Sequence, residues 1–301
     1  MKLQTGILLL SLLPAGLMAQ TTNQGVRFDP AYKEGSAHVK ESEALMITAG
    51  DYKAVFSKRT SWTISELTYK GKRMLTIAGN MQPVLNEQVP AKAEAFLGTG
   101  HRPESEISLE IEVIGGKMPG KYSVHDGLSI PDGDTFILTK RSKFISEFNG
   151  PLYEHIAKLT ISAKGLEEDY SFKVIGDGTA KVNYMYVFMH SMPNTTKMWA
   201  AYGATTEIER GEFKDDDSFS FMKDALWLAA FDPVQGIVIV CSYTEQYNGA
   251  NMFWNRAADN KHYLRIMPTK KAGETFTYHA RLSAAEATET TWDKEAAKLA
   301  N

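Results

Sequence analysis

Between Leu45 and Leu282 the apolar residues recur at every second position, in one short run after another. An alternating run separates an apolar from a polar side only when the chain is extended, so each such run is a strand that needs a layer to cover it. EISLEIEVIGG is the plainest case: Ile107, Leu109, Ile111 and Val113 fall on one side, Ser108, Glu110 and Glu112 on the other. Upstream, Tyr52, Ala54 and Phe56 alternate, Trp62, Ile64 and Leu67 follow, and Tyr69-Lys70-Gly71-Lys72 closes a hairpin. Downstream, DTFILTKRSKFISE, HIAKLTISAKGLEEDYSFKVIGDGTAKVNYMYVFMHSM, LWLAAFDPVQGIVIVCSYTE and KHYLRIMPTKKAGETFTYHARLSA read alike. Their punctuators are KG, GDG, DPVQG and KAGE. Residues 116–133 form the largest loop-like insertion, and only the tail AAEATETTWDKEAAKLAN has the composition of a helix. The pattern predicts an all-β chain: a large antiparallel two-sheet β-sandwich with a short C-terminal helix, forming one domain over residues 45–301.

The N-terminus reads differently. Lys2, the apolar run 7–13, Pro14 and small residues up to Ala19 have the layout of a secretory signal peptide cleaved after residue 19. The run is too short for the roughly 20 residues that span a bilayer. The expected mature protein is secreted or periplasmic, free of the membrane, with residues 20–44 as a flexible lead-in. Its net charge is close to −4, the −3 of the whole chain less the charge of Lys2, so no basic excess marks a nucleic-acid partner. The one cysteine, Cys241, has no internal disulfide partner and sits in the apolar run GIVIVCSYTE, as a small core residue does. No phosphate loop, nucleotide fingerprint or nucleophile elbow is present, and no cofactor is expected.

Three stretches carry a resemblance. The opening YKAVFSKRTSWTISELTYKGKRML, the later FDPVQGIVIV and the closing KHYLRIMPTKKAGETFTYHARL resemble the galactose-mutarotase-like supersandwich superfamily. That superfamily includes aldose 1-epimerases, noncatalytic sandwich domains and central domains of polysaccharide lyases. The resemblance implies a polysaccharide or oligosaccharide partner. Aldose 1-epimerases carry a histidine in an HGG-type turn and an N-x-x-x-G-R approach to the sugar; neither stands here, which ranks a simple epimerase behind other readings.

Four stretches concentrate chemistry. In GTGHRPE, glycines at 98 and 100 permit close backbone approach, His101 titrates near neutrality, Arg102 suits a carboxylate, and Glu104 is able to orient His101 or bind a hydroxyl. In GPLYEHIAKLTIS, Tyr153 and His155 point to one side of a strand and Glu154 to the other, which makes a proton-transfer pair. In YMYVFMHSMPNTTKMWAAYG, Tyr184, Tyr186, Phe188 and His190 alternate along one face, with Trp199 and Tyr202 adding rings for the C–H faces of sugars. In YTEQYNGANMFWNRAADNKHYLR, Trp254 and Arg256 suit a stacking subsite, and His262 follows on a strand. A metal is the competing use of His101, His155, His190 and His262, but no short histidine spacing is present and no metal site is assigned.

The expected function is a polysaccharide lyase acting by β-elimination on a uronic-acid glycan. His101, His155 or His190 takes the proton, Tyr153 or Tyr202 donates one, and Arg102 or Arg256 neutralises the carboxylate. Glu104, Trp199, Trp254 and His262 complete the substrate contacts. The alternatives are a noncatalytic carbohydrate-binding protein and an epimerase-like enzyme.

Overall fold

The computed structural model describes residues 25–32, 42–76, 83–89, 95–98, 101–102, 104–124, 130–203 and 207–301. The expected signal peptide, His38, His125 and the Gly100 of the GTGHRPE turn lie outside the described residues. Within them are twenty-one strands and one α-helix. A five-stranded meander runs β1 (Gly25–Tyr32), β2 (Ser42–Ala49), β3 (Tyr52–Ser57), β4 (Ile64–Tyr69) and β5 (Lys72–Leu75). The chain continues through β6 (Val84–Glu87), β7 (Ala95–Gly98), β8 (Ser105–Ile114), β9 (Gly120–Ser123), β10 (Thr135–Ser146), β11 (Gly150–Ser162) and β12 (Gly165–Val174). It then forms β13 (Val182–Pro193), β14 (Met198–Tyr202), β15 (Glu209–Glu212), β16 (Phe219–Lys223), β17 (Trp227–Asp232) and β18 (Ile237–Ser242). The last elements are β19 (Ala250–Trp254), β20 (Asp259–Ile266), β21 (Thr275–Glu286) and α1 (Trp292–Ala300).

These strands complete two further antiparallel sheets. One has ten strands in the order β15-β14-β17-β18-β21-β12-β11-β10-β8-β9, the other six in the order β16-β19-β20-β13-β6-β7. β2 and β3 lie over β10 and β11, while β5 lies beside β13, where the Thr76 amide donates to the Ser191 carbonyl at 2.7 Å. The meander and the six-stranded sheet therefore continue one another as a single layer facing the ten-stranded sheet. This is the expected two-layer sandwich.

One core fills the space between the layers. Phe56 and Leu67 enter it from the meander, Phe188 and Leu264 from the six-stranded sheet, and Phe136, Phe172 and Leu282 from the ten-stranded sheet. Tyr170 stacks on Phe188 across the gap, ring centres 5.3 Å apart. Each fully buried large apolar side chain of this kind contributes about 1.5–3 kcal/mol. β18 is buried along its whole length because both its faces are covered. Ile237, Ile239 and Cys241 join the main core, whereas Val238 and Val240 pack under α1, whose Trp292 stacks on Phe231.

Two differences from the sequence pattern stand out. Part of the expected lead-in is structured: β1 pairs with β2 from Gly25↔Thr48 onward. More consequential, the register between β13 and β20 slips between Tyr186 and Phe188, leaving Val187 as a bulge. An extra residue reverses the alternation, so the four aromatic positions read as one face are split. Tyr184 and Tyr186 stay on the outer face, and Phe188 and His190 turn into the core.

Candidate functional site

The outer face of the six-stranded sheet carries a row of aromatic rings, half-buried at Tyr184, Tyr186 and Trp254 and buried at Tyr263. Pairing of β6, β13, β20 and β19 brings Val84 opposite Tyr186, Met189 opposite Tyr263, and Tyr263 opposite Met252. The rings form a continuous row: Tyr184 to Tyr186 at 5.1 Å, Tyr186 to Tyr263 at 4.9 Å, Tyr263 to Trp254 at 6.2 Å, and Trp254 stacked on Phe219 at 5.7 Å. Cations flank the row. Arg256 lies 4.6 Å and Lys261 5.7 Å from the Trp254 ring centre, and Arg265 lies 5.6 Å from that of Tyr184. Asp259 accepts from Ser191, ion-pairs with Arg256 at 2.9 Å and lies 3.6 Å from Lys261. One carboxylate thus serves two cations, and the acidic run 215–217 adjoins the same end, where the Trp254 indole donates to the Asp217 carbonyl at 3.3 Å.

His101 overlooks this face from the β7–β8 turn, its ring 5.1 Å from that of Phe96. Partial burial, and then the charges of Lys261 and Arg102, push its imidazole below the ordinary histidine range. It therefore stands neutral at pH 7. Burial likewise pushes the Tyr263 hydroxyl up, so that it keeps its proton. Lys261 is pushed down by burial against the opposing pull of Asp259.

The turn that holds His101 explains its own composition. Gly98 has φ +115°, and a Cβ there would stand 2.3 Å from the Pro83 carbonyl oxygen and 3.0 Å from the Phe144 ring. Arg102 is not free to take a substrate carboxylate. Its guanidinium is ion-paired with the buried Glu87, donates to the Phe96 carbonyl at 3.1 Å, and covers the Phe148 ring. Glu104 is buried, paired with Lys140 at 2.8 Å and His155 at 2.9 Å, and accepts from Ser142. Of the polar groups in the turn, His101 alone among the described ones reaches solvent freely; Arg102 and Glu104 hold the turn down.

The structure thus brings His101, Trp254 and Arg256 to one face and takes the remaining sequence candidates elsewhere. Tyr153 and His155 share a side of β11 as expected, but that side is the interior. His155 stacks on Phe172 at 4.7 Å, and Tyr153 donates to the Thr269 carbonyl. His190 and His262 meet between the layers, their Nδ1 atoms 3.2 Å apart, with His190 Nε2 2.7 Å from Glu168. Trp199 packs on Phe221 and Phe253, and Tyr202 stacks on Trp227 near α1. None of these six side chains lies on the face that holds His101.

Lys261, read from the sequence as a strand entrance, stands on this face, and Asp259 and Tyr263 beside it are not singled out by the sequence because their neighbours along DNKHYLR are also polar. Two interior charges had a legible signal. Lys140 interrupts the series Phe136, Leu138, Phe144, and Glu168 interrupts Leu166, Tyr170, Phe172. A charge on the apolar side of a strand demands a buried partner.

No protein-family model and no curated protein matches the sequence. Among solved structures, the chain is similar to the α-N-acetylgalactosaminidase NagBb from Bifidobacterium bifidum in its GalNAc complex. That match has a TM-score of 0.51 at 9% identity, over 83% of this chain and 37% of that one. Galactose mutarotase-like proteins from Clostridium acetobutylicum and Lactobacillus casei also match. Their TM-scores are 0.46 and 0.49 at 9% and 10% identity, over 87% and 80% of this chain and 98% and 100% of theirs. At such identities the likeness is one of fold.

Proposed function

We propose that this is a carbohydrate-active protein that holds an acidic glycan on the outer face of the six-stranded sheet, with His101 as the base of a β-elimination. The observation that carries the reading is the aromatic row from Tyr184 to Phe219, bordered by Arg256 and Lys261 and overlooked by a neutral imidazole. Rings in a row accept the apolar C–H faces of successive sugars, and a positive border selects residues that bear carboxylates. The GalNAc complex of the similar Bifidobacterium enzyme adds support for a sugar ligand.

The reaction has three requirements. The uronate carboxylate is neutralised by Lys261 and Arg256. His101 removes the C5 proton, the C–H electron pair becomes the C4–C5 double bond, and the C4–O bond breaks. The departing oxygen takes a proton from the Tyr263 hydroxyl, which burial keeps protonated. The N-terminal leader fits action on a glycan outside the cytoplasm.

The test is incubation of the mature protein with a panel of uronic-acid polysaccharides, followed by the ultraviolet absorbance of the unsaturated product. The absorbance should rise on at least one polymer, and His101→Ala should slow it by about 100-fold or more. Trp254→Ala should weaken binding of the same polymer. Binding that depends on Trp254 without any absorbance change would discard the elimination and keep a recognition protein. Indifference of binding to Trp254→Ala and Lys261→Ala would discard the face itself.

A further inference from the structure

The interior holds a second constellation that the glycan face does not use. His190 on β13 and His262 on β20 point inward, and Cys241 on β18 points at them from the opposite layer. The Nδ1 atoms of the two imidazoles are 3.2 Å apart, and one ring nitrogen of each lies within 4.8 Å of Cys241 Sγ. Each ring is fixed from behind. His190 Nε2 meets Glu168 at 2.7 Å, while His262 Nε2 lies 2.9 Å from the Tyr243 hydroxyl and 3.2 Å from Asn251 Oδ1. Tyr243 donates its own proton to Asn251 Oδ1 at 2.8 Å, so the Tyr243 oxygen is left to accept from His262 Nε2–H. Both Nε2 atoms therefore act as donors outward, which leaves the two Nδ1 atoms, 3.2 Å apart, as the free ligand nitrogens of the pair.

We propose that His190, His262 and Cys241 bind one Zn²⁺ ion between the two layers, with Glu168 and Tyr243 positioning the histidines.

Three observations carry this. A tetrahedral ion with metal–nitrogen bonds of about 2.0–2.1 Å holds its nitrogens about 3.3 Å apart, close to the separation present. A cavity of about 10 Å³ adjoins the three groups, lined otherwise by apolar side chains including Met192, Phe253 and Leu282. That is room for about one small ligand such as water in the fourth position. The charge also closes: a Cys241 thiolate and the Glu168 carboxylate balance a dication in a site without solvent, which a monovalent ion would leave negative. Carboxylate and hydroxyl groups behind metal-bound histidines are the usual outer shell of such sites. The site is enclosed by both layers, so the ion enters as the chain folds.

The full mature chain, freed of metal by chelator in denaturant and refolded, is titrated with Co²⁺ as a spectroscopic substitute for Zn²⁺. Expected are a thiolate-to-cobalt charge-transfer band and intense tetrahedral ligand-field bands that saturate at one equivalent and vanish when Zn²⁺ is added. Cys241→Ser should remove the charge-transfer band. Glu168→Gln should weaken Zn²⁺ binding by about 10–100-fold, as loss of an outer-shell partner does. A charge-transfer band that survives Cys241→Ser, or a weak octahedral cobalt spectrum in the wild type, overturns the proposal. Should Cys241→Ser fail to refold, wild-type melting decides. One equivalent of Zn²⁺ should raise the melting temperature of the metal-free protein, and an unchanged temperature rejects the site.

Discussion

Glu104–His155 and Glu168–His190 are the same pair of side chains, buried between the same two layers at 2.9 and 2.7 Å, yet they carry their protons differently. In the first, burial pushes Glu104 up, but the charges of Lys140 and His155 and their hydrogen bonds outweigh it and bring it down to about 2. His155 itself is pushed down, by burial and by Lys140, against the pull of Glu104. Its Nε2 is buried without a partner, so a second proton there would be a stranded donor. In the second pair burial also pushes the histidine down, but Glu168 and then Cys241 outweigh it and raise His190 to about 10 in the metal-free chain. Glu168 receives a hydrogen bond from Tyr170 at 2.9 Å. The difference teaches that a buried carboxylate does not charge its histidine by contact alone. The first cation to reach the carboxylate decides, and in the Glu104 cluster that cation is Lys140.

Removing Lys140 is the largest test of this account. Lys140→Met leaves Glu104 buried with a neutral imidazole, and breaking a buried pair from one side costs about 3–5 kcal/mol. Urea unfolding should report that loss, and nitrogen NMR of the imidazoles should find His155 newly protonated at neutral pH. A loss below about 1 kcal/mol with His155 still neutral would break the comparison. The wild type should also lose stability in acid. Glu104, depressed in the fold, contributes stability above its ordinary 4.5 that disappears as the pH falls toward about 2. His155, also depressed, contributes above its ordinary 6.5 and loses it below.

Glu168→Gln is the next test and acts on the opposite limb. A raised histidine contributes stability that is complete below its ordinary 6.5 and lost as the pH rises through about 10. The metal-free wild type should therefore weaken in alkali, and Glu168→Gln should flatten that limb while leaving the acid limb in place. The loss at neutral pH should be smaller than for Lys140→Met, about 1–3 kcal/mol, because His190 sheds its proton once the carboxylate is gone. An alkaline limb that persists in the variant would assign it to another group.

These two clusters also mark how far the sequence was legible. The sandwich was readable because alternation over long strands such as β8 and β10 is a statement about two faces, and burial honours it directly. Lys140 and Glu168 were readable in principle, as charges on otherwise apolar sides of their strands. The identity of their partners was not, since Glu104 reaches Lys140 across 36 residues and Glu168 reaches His190 from the other layer. The bulge at Val187 was the costliest omission. One unpaired residue sends His190 into the core and keeps Tyr186 outside, and nothing in YMYVFMHSM announces it. His101 is conspicuous in the sequence because a short glycine turn with a titratable group stands out, whereas Tyr263 lies in a run where both faces are polar or aromatic.

The smallest effect separates the second cluster into its parts. Tyr243→Phe removes the hydroxyl that donates to Asn251 Oδ1 at 2.8 Å and stands 2.9 Å from His262 Nε2. Asn251 Oδ1 remains 3.2 Å from the same nitrogen, so the imidazole keeps one acceptor for its Nε2 proton and the loss should be about 1 kcal/mol. Burial and the charge of His190 push His262 well down, which makes it the neutral member of the pair. Its Nδ1 then accepts from His190 in the metal-free protein, and that bond needs no help from Tyr243. The variant should therefore leave the alkaline limb where Glu168 set it, with only the urea midpoint lowered. If the limb moved instead, Tyr243 would be part of the balance that charges His190, and the cluster would have three members deciding the proton where the Glu104 cluster has one.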